Sequence, residues 1–149
     1  MLPMRPLRLQ LGELLAADTT TLAPVAANKI ALIAAAFTPG EDLTLGDLTL
    51  AAFTGSTPKA GAAGAQQTGI DPATHEQKIT ILAPAGGWRW ECTAAPLTPE
   101  GIFGFALIDD GATDLLGVEE FPTPISIAEV GDFIDLGSVE ITFVLQPMA

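Results

Sequence analysis

An antiparallel all-β domain is what three features of this sequence predict. Turn-forming residues recur at short intervals, the runs between them alternate apolar and polar side chains, and proline or glycine interrupts nearly every stretch long enough for a helix. The turn signals are Thr38-Pro39-Gly40, Gly55-Ser56-Thr57-Pro58, Asp71-Pro72, Pro84-Ala85-Gly86-Gly87, Asp109-Asp110-Gly111, Pro122-Thr123-Pro124 and Gly131-Asp132. They cut the chain into short runs of the kind that build a sandwich or a barrel.

Taken along the chain, Leu9–Ala17 and Leu45–Phe53 each have room for a turn or two of helix. Residues Ala60 to Gly69 are low in complexity and predict a long loop. Lys78-Ile79-Thr80-Ile81 alternates, and Trp88 and Trp90 lie two apart, so a strand there places both indoles on one face and Arg89 and Glu91 on the other. In Ile102–Ile108 the residues Phe103, Phe105 and Leu107 share a face, and the opposite face is apolar too. Apolar faces on both sides mark a central strand. Pro124-Ile125-Ser126-Ile127 alternates again. The clearest strand is Val139–Leu145, with Val139, Ile141, Phe143 and Leu145 on one side and Glu140, Thr142 and Val144 on the other.

A length of 149 residues predicts one domain, large enough to bury roughly 70% of its unfolded surface. The expected division is a short N-terminal arm, residues 1–15, and a single β-sandwich body, residues 16–149. Charged residues make up 16% of the chain and hydrophobic ones 48%, against about 25% charged in an average soluble domain. Part of that apolar surface is expected either to face a partner or to reflect the abundant alanine and glycine.

The net charge is −12, so phosphate backbones and anionic lipid are repelled, and neither nucleic acid nor a membrane is expected as a partner. The charge is uneven. Arg5, Arg8 and Glu13 give residues 1–15 a net +1, leaving −13 for the rest. The first residues lack the apolar run of a signal peptide, because Gln10, Gly12 and Glu13 interrupt it. The longest apolar segment, Leu22 to Phe37, carries Pro24, Asn28 and Lys29 and is too short to span a bilayer. A single cysteine, Cys92, excludes an intrachain disulfide and fits a reducing compartment. A soluble chain is expected.

No catalytic, cofactor or metal set is legible. His75 is the one histidine, in Asp71-Pro72-Ala73-Thr74-His75-Glu76, and neither an orienting partner nor a second ligand stands at metal-site spacing from it. Cys92 follows Glu91, whose charge opposes a thiolate, so a structural thiol is expected. Glu119 and Glu120 would point to opposite faces of a strand, and Asp109-Asp110-Gly111 fits a hairpin turn. The acids lack the alternation of an EF-hand, and Gly61 to Gly69 lacks the Lys and Ser/Thr of a phosphate loop. A hydrolase would have to rely on Asp109 or Glu119 without a nucleophile–base pair.

What remains is surface. The expected contacts are Arg5, Leu7, Arg8, Leu9 and Leu11 of the arm, reaching a neighbouring subunit while the acidic body faces solvent. Trp88 and Trp90 are expected to fill the core or a protomer interface; a sugar-stacking platform is the alternative.

The run Lys29-Ile30-Ala31-Leu32-Ile33-Ala34-Ala35-Ala36-Phe37-Thr38-Pro39, with Asp42-Leu43-Thr44 and Ala52-Phe53-Thr54-Gly55 after it, resembles a family of small proteins encoded among phage structural genes. Gly64-Ala65-Gln66-Gln67, Asp71-Pro72-Ala73-Thr74, Pro84-Ala85-Gly86-Gly87-Trp88-Arg89-Trp90-Glu91 and the aromatic-Gly-aromatic strand Ile102–Asp109 carry the same resemblance. It covers most of residues 28–145 and leaves the first 15 outside. The resemblance implies a jelly-roll-like antiparallel β-sandwich and a virion accessory protein without enzymatic activity or cofactor, assembled in the host cytoplasm. Capsid decoration, or cement, is the role it favours: binding the outer capsid surface and stabilising it. Its partners would be the major capsid protein and copies of itself, as a dimer or trimer. The alternative is a tail or fibre-associated domain recognising host glycan, in which Trp88, Trp90, Gln66 and Gln67 would form the platform.

If the arm carries attachment, deleting residues 2–12 abolishes binding to purified particles in a co-sedimentation assay. Unchanged binding by the truncated chain refutes that role.

Overall fold

The computed structural model describes residues 2–3, 29–61, 65–67, 73, 76–81, 83–95, 98–108 and 114–144. Their regular structure is ten strands: β1 (Leu2–Pro3), β2 (Lys29–Ile33), β3 (Lys59–Ala60), β4 (Ala65–Gln67), β5 (Glu76–Ile81), β6 (Trp88–Glu91), β7 (Glu100–Ile108), β8 (Leu115–Ile127), β9 (Phe133–Leu136) and β10 (Val139–Val144). Every pairing is antiparallel. The strands form a five-stranded sheet in the order β1-β8-β7-β2-β3, a three-stranded sheet β10-β5-β4, and the pair β6-β9. The protein is therefore all-β, as its turn spacing and alternation predict.

Strand β7 takes the central place that its two apolar faces require. From Gly104 to Ile108 every residue is buried, and so are Ile30 to Ile33 of its neighbour β2. Alternation divides these residues between two cores. On one side Ile30, Leu32, Phe105, Leu107 and Leu116 join Trp88, Trp90, Cys92, Ile134 and Val139, so β6, β9 and the start of β10 cover that face. On the other, Ala31, Ile33, Ala106, Ile108, Leu115 and Val118 lie under Phe37, Leu43, Leu45, Leu48 and Leu50, all from the single segment 34–50.

That covering segment is tied back to the sheet at its ends. The Ala34 amide donates to the Thr49 carbonyl at 2.7 Å, the Ala51 amide to the Leu32 carbonyl at 2.9 Å, and Ile33 bridges Leu50. Within it the helical expectation for Leu45–Phe53 reduces to a single 3₁₀ turn, Leu45–Asp47. Asp47 reaches back to the Thr44 amide at 2.9 Å and its hydroxyl at 2.6 Å, closing the first turn. The Ala51–Leu32 hydrogen bond then draws the following residues into extended backbone, where a helix cannot continue.

Two further expectations are corrected. Ala65–Gln67, inside the predicted loop, forms β4 on β5: Ala65 opposes Ile81 and Gln67 opposes Ile79. Pro122-Thr123-Pro124 is no chain reversal but lies within the 13-residue strand β8. The ladder explains how. Ile102 pairs with Ile125 and Gly104 with Glu120, so Phe103 alone faces residues 121–124. Prolines fit where the ladder is broken, since no partner awaits their missing N–H. A second irregularity lies between Leu107 and Ile108. Leu2 and Pro3, at the start of the expected arm, pair with Val118 and Gly117 of β8 as strand β1. In Pro84–Gly87 and the 129–132 segment the predicted turns are present, each closed by an amide-to-carbonyl hydrogen bond.

Gly104 sits at the edge of the larger bulge, where a Cβ would collide with the backbone of Glu119 and Glu120. Gly104→Ala therefore forces β7 and β8 apart and lowers unfolding free energy by about 1–3 kcal/mol, measured by urea titration. Unchanged stability would show that the bulge yields freely.

Candidate interaction surface

The Trp-Arg-Trp-Glu run decides which side chains this domain shows and which it hides. In β6, Trp88 and Trp90 are 1% and 0% exposed, the largest fully buried side chains described. Their indole N–H groups donate to the Ala60 and Thr57 carbonyls, at 2.9 and 3.1 Å. A buried indole needs such a partner, and these two also anchor the chain leading into β3. Both rings are thus core residues. Neither is open to a partner or a sugar, which corrects their place among the expected contact residues. Cys92, next along, is buried as well, its thiol donating to the Ala94 carbonyl at 3.1 Å.

Arg5, Leu7, Arg8, Leu9 and Leu11 fall outside the described residues, as do His75 and Asp109-Asp110. Glu119 and Glu120 are both exposed where β8 runs beyond Val118. Among the described residues no three His, Cys, Asp or Glu side chains gather as metal ligands, and no helix is long and apolar enough to cross a membrane.

On the outward face of β6 and β9 four exposed side chains meet. Register places Arg89 opposite Asp135, and Glu91 opposite Phe133. The Arg89 guanidinium lies 3.9 Å above the centre of the Phe133 ring. Its Nε is 3.5 Å from an Asp135 carboxylate oxygen and 3.9 Å from one of Glu91. Arg89 is the one basic residue between positions 79 and 149, a stretch that carries eleven acids. Sequence reading placed Arg89 and Glu91 opposite the indoles; their meeting with Phe133 and Asp135 needed the β6–β9 pairing.

Exposed large apolar side chains flank the β8–β9 connection along the chain. Ile125, Val130 and Phe133 are 38%, 61% and 48% exposed, and all three fall within nine residues around the β8–β9 connection. The connection is firmly closed. Asp132 donates its amide to the Glu129 carbonyl at 3.2 Å, and Gly131 takes a φ of 95° that a side chain rarely tolerates. The Asp132 carboxylate accepts the amides of Ala128 and Glu129, at 2.8 and 2.9 Å. Cys92 exchanges backbone hydrogen bonds with Gly131 and Asp132, fastening the corner to the end of β6. Val130 is thus held out to solvent on a tied turn.

One open groove of about 380 Å³ lies between Ala52–Thr54 and the segment Thr98–Glu100. Glu100 fills its polar role with backbone: its carboxylate accepts the amides of Ala52 and Phe53 at 3.0 Å each. It works as a clamp between β7 and the segment after Leu50.

Hydrogen bonds from the Ala128 amide first, and then from that of Glu129, hold the Asp132 carboxyl below its ordinary range. A depressed native value makes its contribution complete above the unfolded value, near about pH 4, and lost as pH falls through the lower native value. Asp132→Ala should therefore lower Tm at neutral pH, with the deficit shrinking in acid. It should also speed amide exchange at Ala128 and Glu129. An unchanged Tm and exchange pattern would remove Asp132 as the corner's clamp.

Compared with known proteins, the chain matches no family model, no curated protein and no solved structure.

Proposed function

We propose that this chain is a non-catalytic accessory protein of a bacteriophage virion, a capsid decoration or cement protein that seats on the outer surface of the major capsid protein and stabilises it. The observation that carries the binding part of this reading is the corner at residues 125–133. Val130 stands on a turn fixed by Asp132 and bonded to Cys92, with Ile125 exposed on β8 before it and Phe133 exposed on β9 after it. A docking surface gains most when its anchors are already ordered, because little side-chain and loop entropy is then lost on binding. The phage assignment, the jelly-roll-like description of the fold and the virion location rest on the family resemblance of residues 28–145. On a symmetric shell many equivalent weak contacts add to firm attachment.

Cryo-electron microscopy of purified particles tests the assignment. Density repeating over the icosahedral shell, with the 125–133 corner against it, is expected. Density confined to the tail or fibres would replace this reading with glycan recognition. The double variant Ile125→Asp, Val130→Asp should fold as the parent does and lose particle binding by at least about a hundredfold, as truncation of two apolar anchors implies. Undiminished binding by that variant overturns the corner's role.

A further inference from the structure

We infer that the outer face of β6–β9 is a self-complementary contact through which two copies of this chain pair about a twofold axis. This deepens the assembly reading above by naming the second copy as occupant of this face, and it depends on that reading only for its use on a particle.

Four exposed side chains make the face: Arg89 and Glu91 on β6, Phe133 and Asp135 on β9. Their alternate neighbours Trp88, Trp90 and Ile134 point into the core, so the face is set by the strand period. The register makes a rectangle, with Arg89 beside Asp135 across the strands and Glu91 two residues along from Arg89. Consider a second copy laid face to face on it. A twofold axis running across the strands sets each Arg89 over the other copy's Glu91. An axis running along the strands sets each Arg89 over the other copy's Asp135. Either operation joins cation to anion twice, as an isologous contact must.

A cationic partner would meet Arg89 between Glu91 and Asp135, and an anionic partner would meet two acids around one base. A second copy sets each Arg89 over an acid under either axis and lays the remaining acid against the other copy's Phe133. Phe133, 48% exposed, adds an apolar surface, and Arg89 is already ordered against its ring and Asp135. Aromatic residues and arginine are the types most enriched at such contacts. Two four-residue strands present a small patch, and each copy carries −12, so the pairing is weak and concentration-dependent in free solution.

Sedimentation equilibrium of the full chain, from about 10 µM to about 1 mM at near-physiological salt, tests it. A monomer–dimer equilibrium is expected, weakened at least about tenfold by Arg89→Glu. Charge exchange then identifies the axis. Arg89→Glu with Glu91→Arg restores pairing if the axis crosses the strands, and Arg89→Asp with Asp135→Arg restores it if the axis follows them. Circular dichroism confirms that each variant folds. A chain that stays monomeric throughout, a dimer indifferent to Arg89→Glu, or failure of both exchanges overturns the inference. Particle binding by a chain that does not self-associate would sink this contact alone. Self-association without particle binding would sink the decoration reading and leave the contact standing.

Discussion

Burial of β2 and β7 on both faces is the constraint from which the remaining structure follows. Ile30 to Ile33 and Gly104 to Ile108 carry apolar side chains on both sides, so a single covering layer leaves one row in water. Two covers of different kinds meet the need. Trp88, Trp90 and Ile134 close one face from the β6–β9 pair, and leucines of segment 34–50 close the other without a sheet of their own. Burial of each such side chain contributes about 1.5–3 kcal/mol, more than the lone surface ion pairs of this chain supply. The two covers therefore outweigh its surface electrostatics.

The exposed chemistry is a consequence of that burial. Because Trp88 and Trp90 must face inward, Arg89 and Glu91 must face outward, and pairing with β9 sets Phe133 and Asp135 beside them. The same argument applies at the corner. Cys92 is pulled into the core, and its backbone bonds to Gly131 and Asp132 hold the β8–β9 turn at the surface with Val130 exposed.

Local chemistry was legible where one side chain or one turn decides the outcome. The closed turns at Pro84–Gly87 and Gly131-Asp132, the central place of Ile102–Ile108 and the shared face of the two indoles all follow from short-range rules. Reading failed where a distant partner set the conformation. Pro122-Thr123-Pro124 has the composition of a turn, yet the antiparallel hold of β7 on either side keeps it in a bulged strand. Ala65–Gln67 has little strand propensity and is extended through its pairing with β5. Leu45–Phe53 has leucines enough for a helix, and its tie to Leu32 permits one 3₁₀ turn.

The sequence alone determined the all-β class, the acidic character and the alternation that sends Arg89 outward. Only the tertiary structure decided that the tryptophans are core, that segment 34–50 is a second layer, and that Arg89, Glu91, Phe133 and Asp135 form one face. The physical reason is range. A strand's period of two and a turn's residue preferences act over a few positions and are visible in any short window. Which strand lies beside which, and in what register, depends on burying side chains more than forty residues apart, such as Trp90 and Ile134.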